Sequence, residues 1–236
     1  MGRAGAVLFA REGARIAVAD IRERHAEETA NQIVAEGGEA IALHVDVTSD
    51  REVKAAAEAT LARFGRLDVL LACAGVAAPF EPVTRLTVDD WEHVMAVNVR
   101  GVFLCAKHCI PPMQAQRAGT IVVIASDSSY VATPNQAAYC ASKGAVLMLT
   151  RALAVDHAED NIRVNCVCPS VVDTPMVRNI FKAGDRDLAE FGLPEVHTPE
   201  SIAEKLLFLA CDESAGISGT SLVVDFGGLA RSTFPV

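Results

Sequence analysis

Thr120-Ile-Val-Val-Ile-Ala-Ser126 and, thirteen positions beyond Ser126, Tyr139-Cys-Ala-Ser-Lys143 decide how this chain is read. The apolar run 120–125 has the character of a parallel strand covered on both faces. The C-terminal end of such a strand is where open α/β sheets hold ligands, and Ser126 stands there. Tyr139 and Lys143 are four apart, so on a helix they share one face about one turn apart. A free tyrosine ionises near pH 10, and bringing that value down by one costs about 1.4 kcal/mol. An ammonium beside the phenol favours the phenolate, and Lys143 is spaced to provide one. A hydroxyl at a strand end and a phenol at a helix start can converge on one carbonyl oxygen, an arrangement suited to proton exchange with an alcohol or ketone.

Outward from this stretch, strand and helix signals alternate without a repeat, linker or low-complexity segment. Helices are predicted over 2–12, 22–36, 50–64 and 137–157, with another over 199–211. A long one follows the capping-box-like Thr87-Val-Asp-Asp90 and ends at Pro111-Pro112. Strands are predicted over 15–19, 40–45, 67–72, 120–125, 162–167 and 221–224. Alternating units of this length imply a parallel sheet with helices on both faces. The expected fold class is α/β, a single doubly wound parallel sheet of Rossmann-like type, in one domain over 1–236.

With 236 residues and 51% hydrophobic content, the chain can bury a substantial core. A net charge of −9 with interspersed charges argues against nucleic acid and anionic membrane as partners. No apolar run approaches the roughly 18–20 residues of a bilayer span, so a soluble, cytoplasmic protein is expected. Seven cysteines at irregular spacing fit a reducing compartment better than a disulfide framework. Cys105, His108 and Cys109 cluster on one predicted helix, but no second ligand pair follows, and no metal is expected. Cys166 and Cys168 share a strand face and read as core.

With Ser126, Tyr139 and Lys143 stand Asn98 in Val97-Asn-Val-Arg-Gly101, Asp46 in Asp46-Val-Thr48, Asp20, Ala74-Gly75 and Pro169-Ser-Val-Val-Asp-Thr174. Together they resemble the short-chain dehydrogenase/reductase family from the first residue to Gly228. The resemblance implies catalytic roles for Asn98, Ser126, Tyr139 and Lys143. Tyr139 exchanges the proton with the reacting oxygen, and Lys143 lowers its pKa and bonds the nicotinamide ribose. Ser126 hydrogen-bonds the reacting oxygen, and Asn98 holds a water linking Lys143 to solvent. It implies cofactor contacts at Gly2, Asp20, Ile21, Asp46, Val47, Ala74 and Gly75, at Tyr139 and Lys143, and at Pro169, Val172 and Thr174. A carboxylate at Asp20 accepts the ribose hydroxyls of NAD and repels the 2′-phosphate of NADP, so NAD is the expected cofactor and NADP the less favoured one.

The chain departs from the family pattern in three places. Ala72-Cys73 stands where two asparagines are usual, and Ser170 where glycine is usual. Of the pattern Thr-Gly-x-x-x-Gly-Ile-Gly, only Met1 and Gly2 match, at its last two positions. The expectation is a first strand and glycine-rich turn absent from this chain, its native start lying upstream; the alternative is a shortened variant.

The function this supports is hydride transfer between a nicotinamide cofactor and a secondary alcohol or ketone. An NADPH-dependent 3-oxoacyl-carrier-protein reductase is the nearest alternative, and Asp20 and the want of a basic patch weigh against it. A non-catalytic binding protein of the same fold is a further one, opposed by the full Ser126, Tyr139, Lys143 and Asn98 set. The substrate is expected to be bounded by 76–80, 127–130 and a variable lid over 176–194. The resemblance implies a homotetramer, and the helices around 88–110 and 137–157 carry apolar residues on more than one face, among them Val94, Val97, Phe103, Ala106, Ala145, Leu147, Met148 and Ala152, so that one face needs a partner. The tail 221–236 is a candidate for a second contact.

Overall fold

A computed structural model of the chain describes residues 1–193 and 195–231. Pro194, the last residue of the expected lid, and 232–236, the end of the tail, lie outside the described residues. Helix α1 (Gly2–Arg11) leads into β1 (Ile16–Asp20), α2 (Glu23–Ala35), β2 (Ala40–His44), α3 (Asp50–Phe64) and β3 (Val69–Ala72). Then come α4 (Val88–Met95), a π-helical turn (Ala96–Arg100), α5 (Gly101–Gln116), β4 (Gly119–Ile124), α6 (Ala137–Asp156) and β5 (Ile162–Pro169). Helices α7 (Pro175–Phe181) and α8 (Pro199–Ala210) and strand β6 (Ser221–Val224) complete the order.

Local chemistry explains the boundaries. Ser49 accepts from the Glu52 amide at the start of α3, and Thr87 from the Asp90 amide at the start of α4. Gly65, at φ 78°, closes α3 in the left-handed conformation that a side chain would resist.

All the strand pairings are parallel, but the expected single sheet is two: β1 pairs with β2, and β3-β4-β5-β6 form a second sheet in that order. The split falls between β1 and β3, where the resemblance places the unmatched first strand. Among the described residues no strand carries a hydrogen-bond ladder across that gap. Helix α1 joins the halves by packing against α2 and α8. Its Phe9 is buried with Val122, Val167, Ile202 and Leu206 on one face of the larger sheet. The other face packs on α5 and α6 through Ala106, Met113, Val146, Ile121 and Val164. Helices on both faces make the fold doubly wound.

Two further expectations need correction. The long helix does not stop at Pro111-Pro112, which lie inside α5. Two helical hydrogen bonds are forgone there, yet Ile110 and Met113 on either side are buried, and that packing carries the helix to Gln116. Second, α6 is long and apolar enough, by length and composition, to cross a bilayer. It packs on the sheet instead, with Val146, Leu147 and Thr150 buried. Of the apolar residues named on these helices, Val94, Ala106 and Leu147 are buried within the chain, while Phe103 and Met148 are exposed.

Candidate active site

Ser126 lies two residues beyond the end of β4 and is buried. Its hydroxyl donates to Asp127 Oδ1 at 2.8 Å and accepts from the Ser128 amide at 3.1 Å, which turns the chain sharply there. Tyr139 and Lys143 lie one turn apart on the first half of α6, as the spacing predicts. Burial pushes the Tyr139 phenol above its ordinary value; the nearby Ser126 hydroxyl opposes the rise and the Asp127 carboxylate adds to it. The lowering expected from Lys143 is not what dominates. Its Nζ lies 5.7 Å from the Tyr139 ring centroid and donates to the Ile124 carbonyl at 2.8 Å. Burial lowers the Lys143 ammonium to about 8.

Asn98 sits in the π-turn, where one extra residue per turn swings its side chain inward. Its Oδ1 accepts from the Val76 amide at 2.8 Å, and its Nδ2 donates to the Val76 carbonyl and to Ser142 Oγ, each at 3.0 Å. Ser142 in turn donates to the Tyr139 carbonyl at 2.8 Å. The loop after β3, the π-turn and the first turns of α6 are thereby tied together. Gly75 lies in that loop, and a Cβ on it would come within 3.8 Å of Lys143 Nζ and 3.4 Å of Asn98 Oδ1.

The remaining expected positions line the C-terminal ends of the strands. Asp20 ends β1, and its Oδ1 accepts from the Arg22 amide at 2.8 Å; Ile21 beside it is exposed. Asp46 accepts from both the amide and the hydroxyl of Thr48, which hold its carboxyl below the usual range. Val47 is approached closely by α5: a Cβ on Gly101 would meet its Cγ2 at 2.9 Å, so glycine is needed there. Gly2 opens α1 with Cys73 beside it. Pro169 ends β5, Val172 is buried, and Thr174 caps α7 by accepting from the Val177 amide.

These groups suit a dinucleotide. Helix geometry leaves the amides of Gly2, Arg3 and Ala4 without helical partners, a donor set for an anion. Asp20 Oδ2 takes no partner among the described residues, which leaves an acceptor for a ribose hydroxyl. Ala74 and Gly75 present backbone without bulk. No group of three or more His, Cys, Asp or Glu suited to a metal occurs among the described residues. Sequence reasoning placed Asp127 at the border of the substrate region without its bond to Ser126, and missed Ser142 as part of the site. The only available signal was adjacency to Ser126 and Lys143.

The family described as "Enoyl-(Acyl carrier protein) reductase" matches residues 1–229. Cyclopentanol dehydrogenase of Comamonas sp. (strain NCIMB 9872) is 39% identical over 234 residues, 98% of this chain and 93% of that protein. The crystal structure of levodione reductase superposes with a TM-score of 0.92 at 30% identity, covering 98% of this chain and 94% of the other. A 3-ketoacyl-(acyl-carrier-protein) reductase from Brucella melitensis, complexed with NADH, gives a TM-score of 0.87 at 30% identity over 98% of this chain and 93% of that one.

Proposed function

The chain belongs to the short-chain dehydrogenase/reductase family of oxidoreductases, and within it we propose a secondary-alcohol dehydrogenase or ketone reductase that prefers NAD. The observation that carries this reading is the meeting of Ser126, Tyr139 and Lys143 at the C-terminal end of β4, with Asn98 tied to the same loop and helix. The family uses nicotinamide cofactors, which supply the hydride acceptor or donor. Tyr139 passes the proton to or from the reacting oxygen, and Ser126 Oγ donates a hydrogen bond to that oxygen as charge builds on it. Lys143, released from Ile124, bonds the nicotinamide ribose and brings its charge toward the phenol. Asn98 holds a water on the path from Lys143 to solvent. Asp20 and Ile21, with Asp46 and Val47, would hold the adenosine part, the amides at the start of α1 at Gly2 would take the pyrophosphate, and Ala74, Gly75, Pro169, Val172 and Thr174 would hold the nicotinamide end.

NAD preference rests on the Asp20 carboxylate, whose charge opposes a 2′-phosphate. The NADH named with the Brucella reductase supports the same choice. Shared packing of α1 on both halves supports a single domain over 1–236, with 176–194 as lid. Exposed Phe103, Met148 and Val155 on α5 and α6 support a homotetramer. Cyclopentanol in the name of the Comamonas relative supports a neutral secondary alcohol as substrate.

The test is formation of reduced nicotinamide, followed by absorbance, from NAD or NADP and a panel of secondary alcohols. Turnover with NAD above NADP is the expected result; no turnover with either overturns the reading. A second reading, reduction of 3-oxoacyl thioesters, is favoured by the matched family's description and the Brucella structure. Adding such a thioester with NADPH to the panel separates the two.

A further inference from the structure

Among residues 76–80 and 127–130, which the dehydrogenase reading sets around the substrate, Asp127 is the only charged residue. Its Oδ1 takes the Ser126 hydroxyl at 2.8 Å and the Ser128 amide at 2.7 Å, with Ser128 Oγ at 3.4 Å. Its Oδ2 has no partner among the described residues. The carboxylate is bonded to Ser126, which the dehydrogenase reading sets against the reacting oxygen, and its charge opposes ionisation of the Tyr139 phenol. The two arginines of the lid are occupied elsewhere. Arg178 clasps Asp173 and donates to the Gly184 carbonyl, and Arg186 donates to the Lys182 carbonyl while lying over Phe191. Neither neutralises Asp127.

A consequence follows for Ser126. One hydroxyl hydrogen cannot serve Asp127 and the substrate together. When Ser126 turns to the reacting oxygen, Asp127 loses a donor at a partly buried carboxylate, at a cost that a substrate able to replace the bond avoids. The replacement donor must sit within about 3 Å of both the carboxylate and the reacting oxygen. A hydroxyl on the carbon next to the reacting carbon meets that condition. An anionic group in the same place is repelled.

We infer that Asp127 is a specificity-determining residue that selects substrates carrying a hydroxyl beside the reacting carbon, vicinal diols and α-hydroxy ketones, over simple alcohols and 2-hydroxy acids. The inference rests on the dehydrogenase reading and adds the substrate class. If Asp127 served only to cap its turn, asparagine, which still accepts from the Ser128 amide, would replace it without effect on selectivity.

The experiment compares kcat/KM for pentan-2-ol, pentane-2,3-diol and 2-hydroxypentanoate, on one carbon skeleton, in the unmutated protein, Asp127→Asn and Asp127→Ala. The diol should lead the simple alcohol by roughly tenfold or more, the range a hydrogen bond to a charged group provides. Asp127→Ala should bring the two within about threefold, with Asp127→Asn between, and the hydroxy acid should gain in both variants. Melting temperatures of Asp127→Asn and the unmutated protein should agree. Turnover without diol preference, or a preference that survives both substitutions, overturns the assignment of Asp127 alone. No turnover of any of the three overturns the dehydrogenase reading as well.

Discussion

Strands β4 and β5 are buried along nearly their whole length, whereas β1 and β2 keep every residue half-exposed or exposed. The two halves of the sheet carry different parts of the candidate site. Ser126, Tyr139 and Lys143 belong to the covered half, and Asp20 and Asp46 to the open one. Electrostatic interactions strengthen where water is excluded, and charges there are costly. The covered half therefore perturbs its groups: Lys143 falls to about 8 and the Tyr139 phenol rises. The open half offers Asp20 as an acceptor held by one local bond. Chemistry is expected to depend on the first half, and choice of cofactor on the second, each with little effect on the other.

The largest break in that comparison should come from Tyr139→Phe. Removing one hydroxyl takes away the proton donor and acceptor, so turnover should fall by about a thousandfold or more, within the range for a general acid–base group. Folding should change little, and the NAD to NADP ratio of any residual activity should stay where it was. Turnover near the unmutated rate would remove Tyr139 from proton transfer. Ser126→Ala comes next, at roughly 2–4 kcal/mol of transition-state stabilisation, the scale of one lost oxyanion donor. A loss below tenfold would make the serine a turn residue that holds Ser128 and Asp127, and nothing more.

Some of this division was legible before the structure. The Thr120–Ala125 run marked a covered strand, and the Tyr139 to Lys143 spacing put both side chains on one helical face, because strand and helix periods are fixed by backbone geometry. What escaped reading depends on tertiary contact. The π-turn at Asn98 adds a residue without disturbing the apolar pattern on either side, so periodicity hides it. Helix α5 runs through Pro111-Pro112 because the core under Ile110 and Met113 outweighs a local preference. The Lys143 bond to the Ile124 carbonyl depends on which way a four-carbon stem turns inside the core. Asp127 was expected only as part of the substrate border, and its bond to Ser126 escaped because a carboxylate after a strand ordinarily reads as a turn residue.

Burial of Lys143 sharpens the comparison through stability. Its folded pKa of about 8 lies below the ordinary 10.5, so the unfolded chain holds more protons between those values. The penalty for burying the ammonium is present in full below pH 8, and stability from this group rises with pH through that window. Lys143→Met should therefore stabilise the fold by about 1–3 kcal/mol at neutral pH, after the lost bond to Ile124 is counted. The gain should shrink as pH rises past 8, while activity is lost at every pH. Denaturant unfolding at several pH values measures it. Destabilisation at neutral pH, or a gain that ignores pH, would mean that the ammonium is better accommodated than its surroundings indicate.

The smallest expected effect tests the open half. Asp20→Asn removes the carboxylate charge but keeps an oxygen to accept from the Arg22 amide, so the turn after β1 survives. A 2′-phosphate would then meet no like charge, and Arg22, two residues on, becomes available to it; Arg24 is held by Glu28 at 2.7 Å and contributes less. The kcat/KM ratio of NADP over NAD should rise by about tenfold, close to 1.4 kcal/mol, with the melting temperature unchanged. Asp20→Ala should move the ratio the same way and in addition loosen the turn, so a lower melting temperature in that variant alone separates the charge from the bond. An unaltered ratio in both would place cofactor selection elsewhere. Exposed His44, paired in register with Asp20 across β1 and β2, is the next position to change.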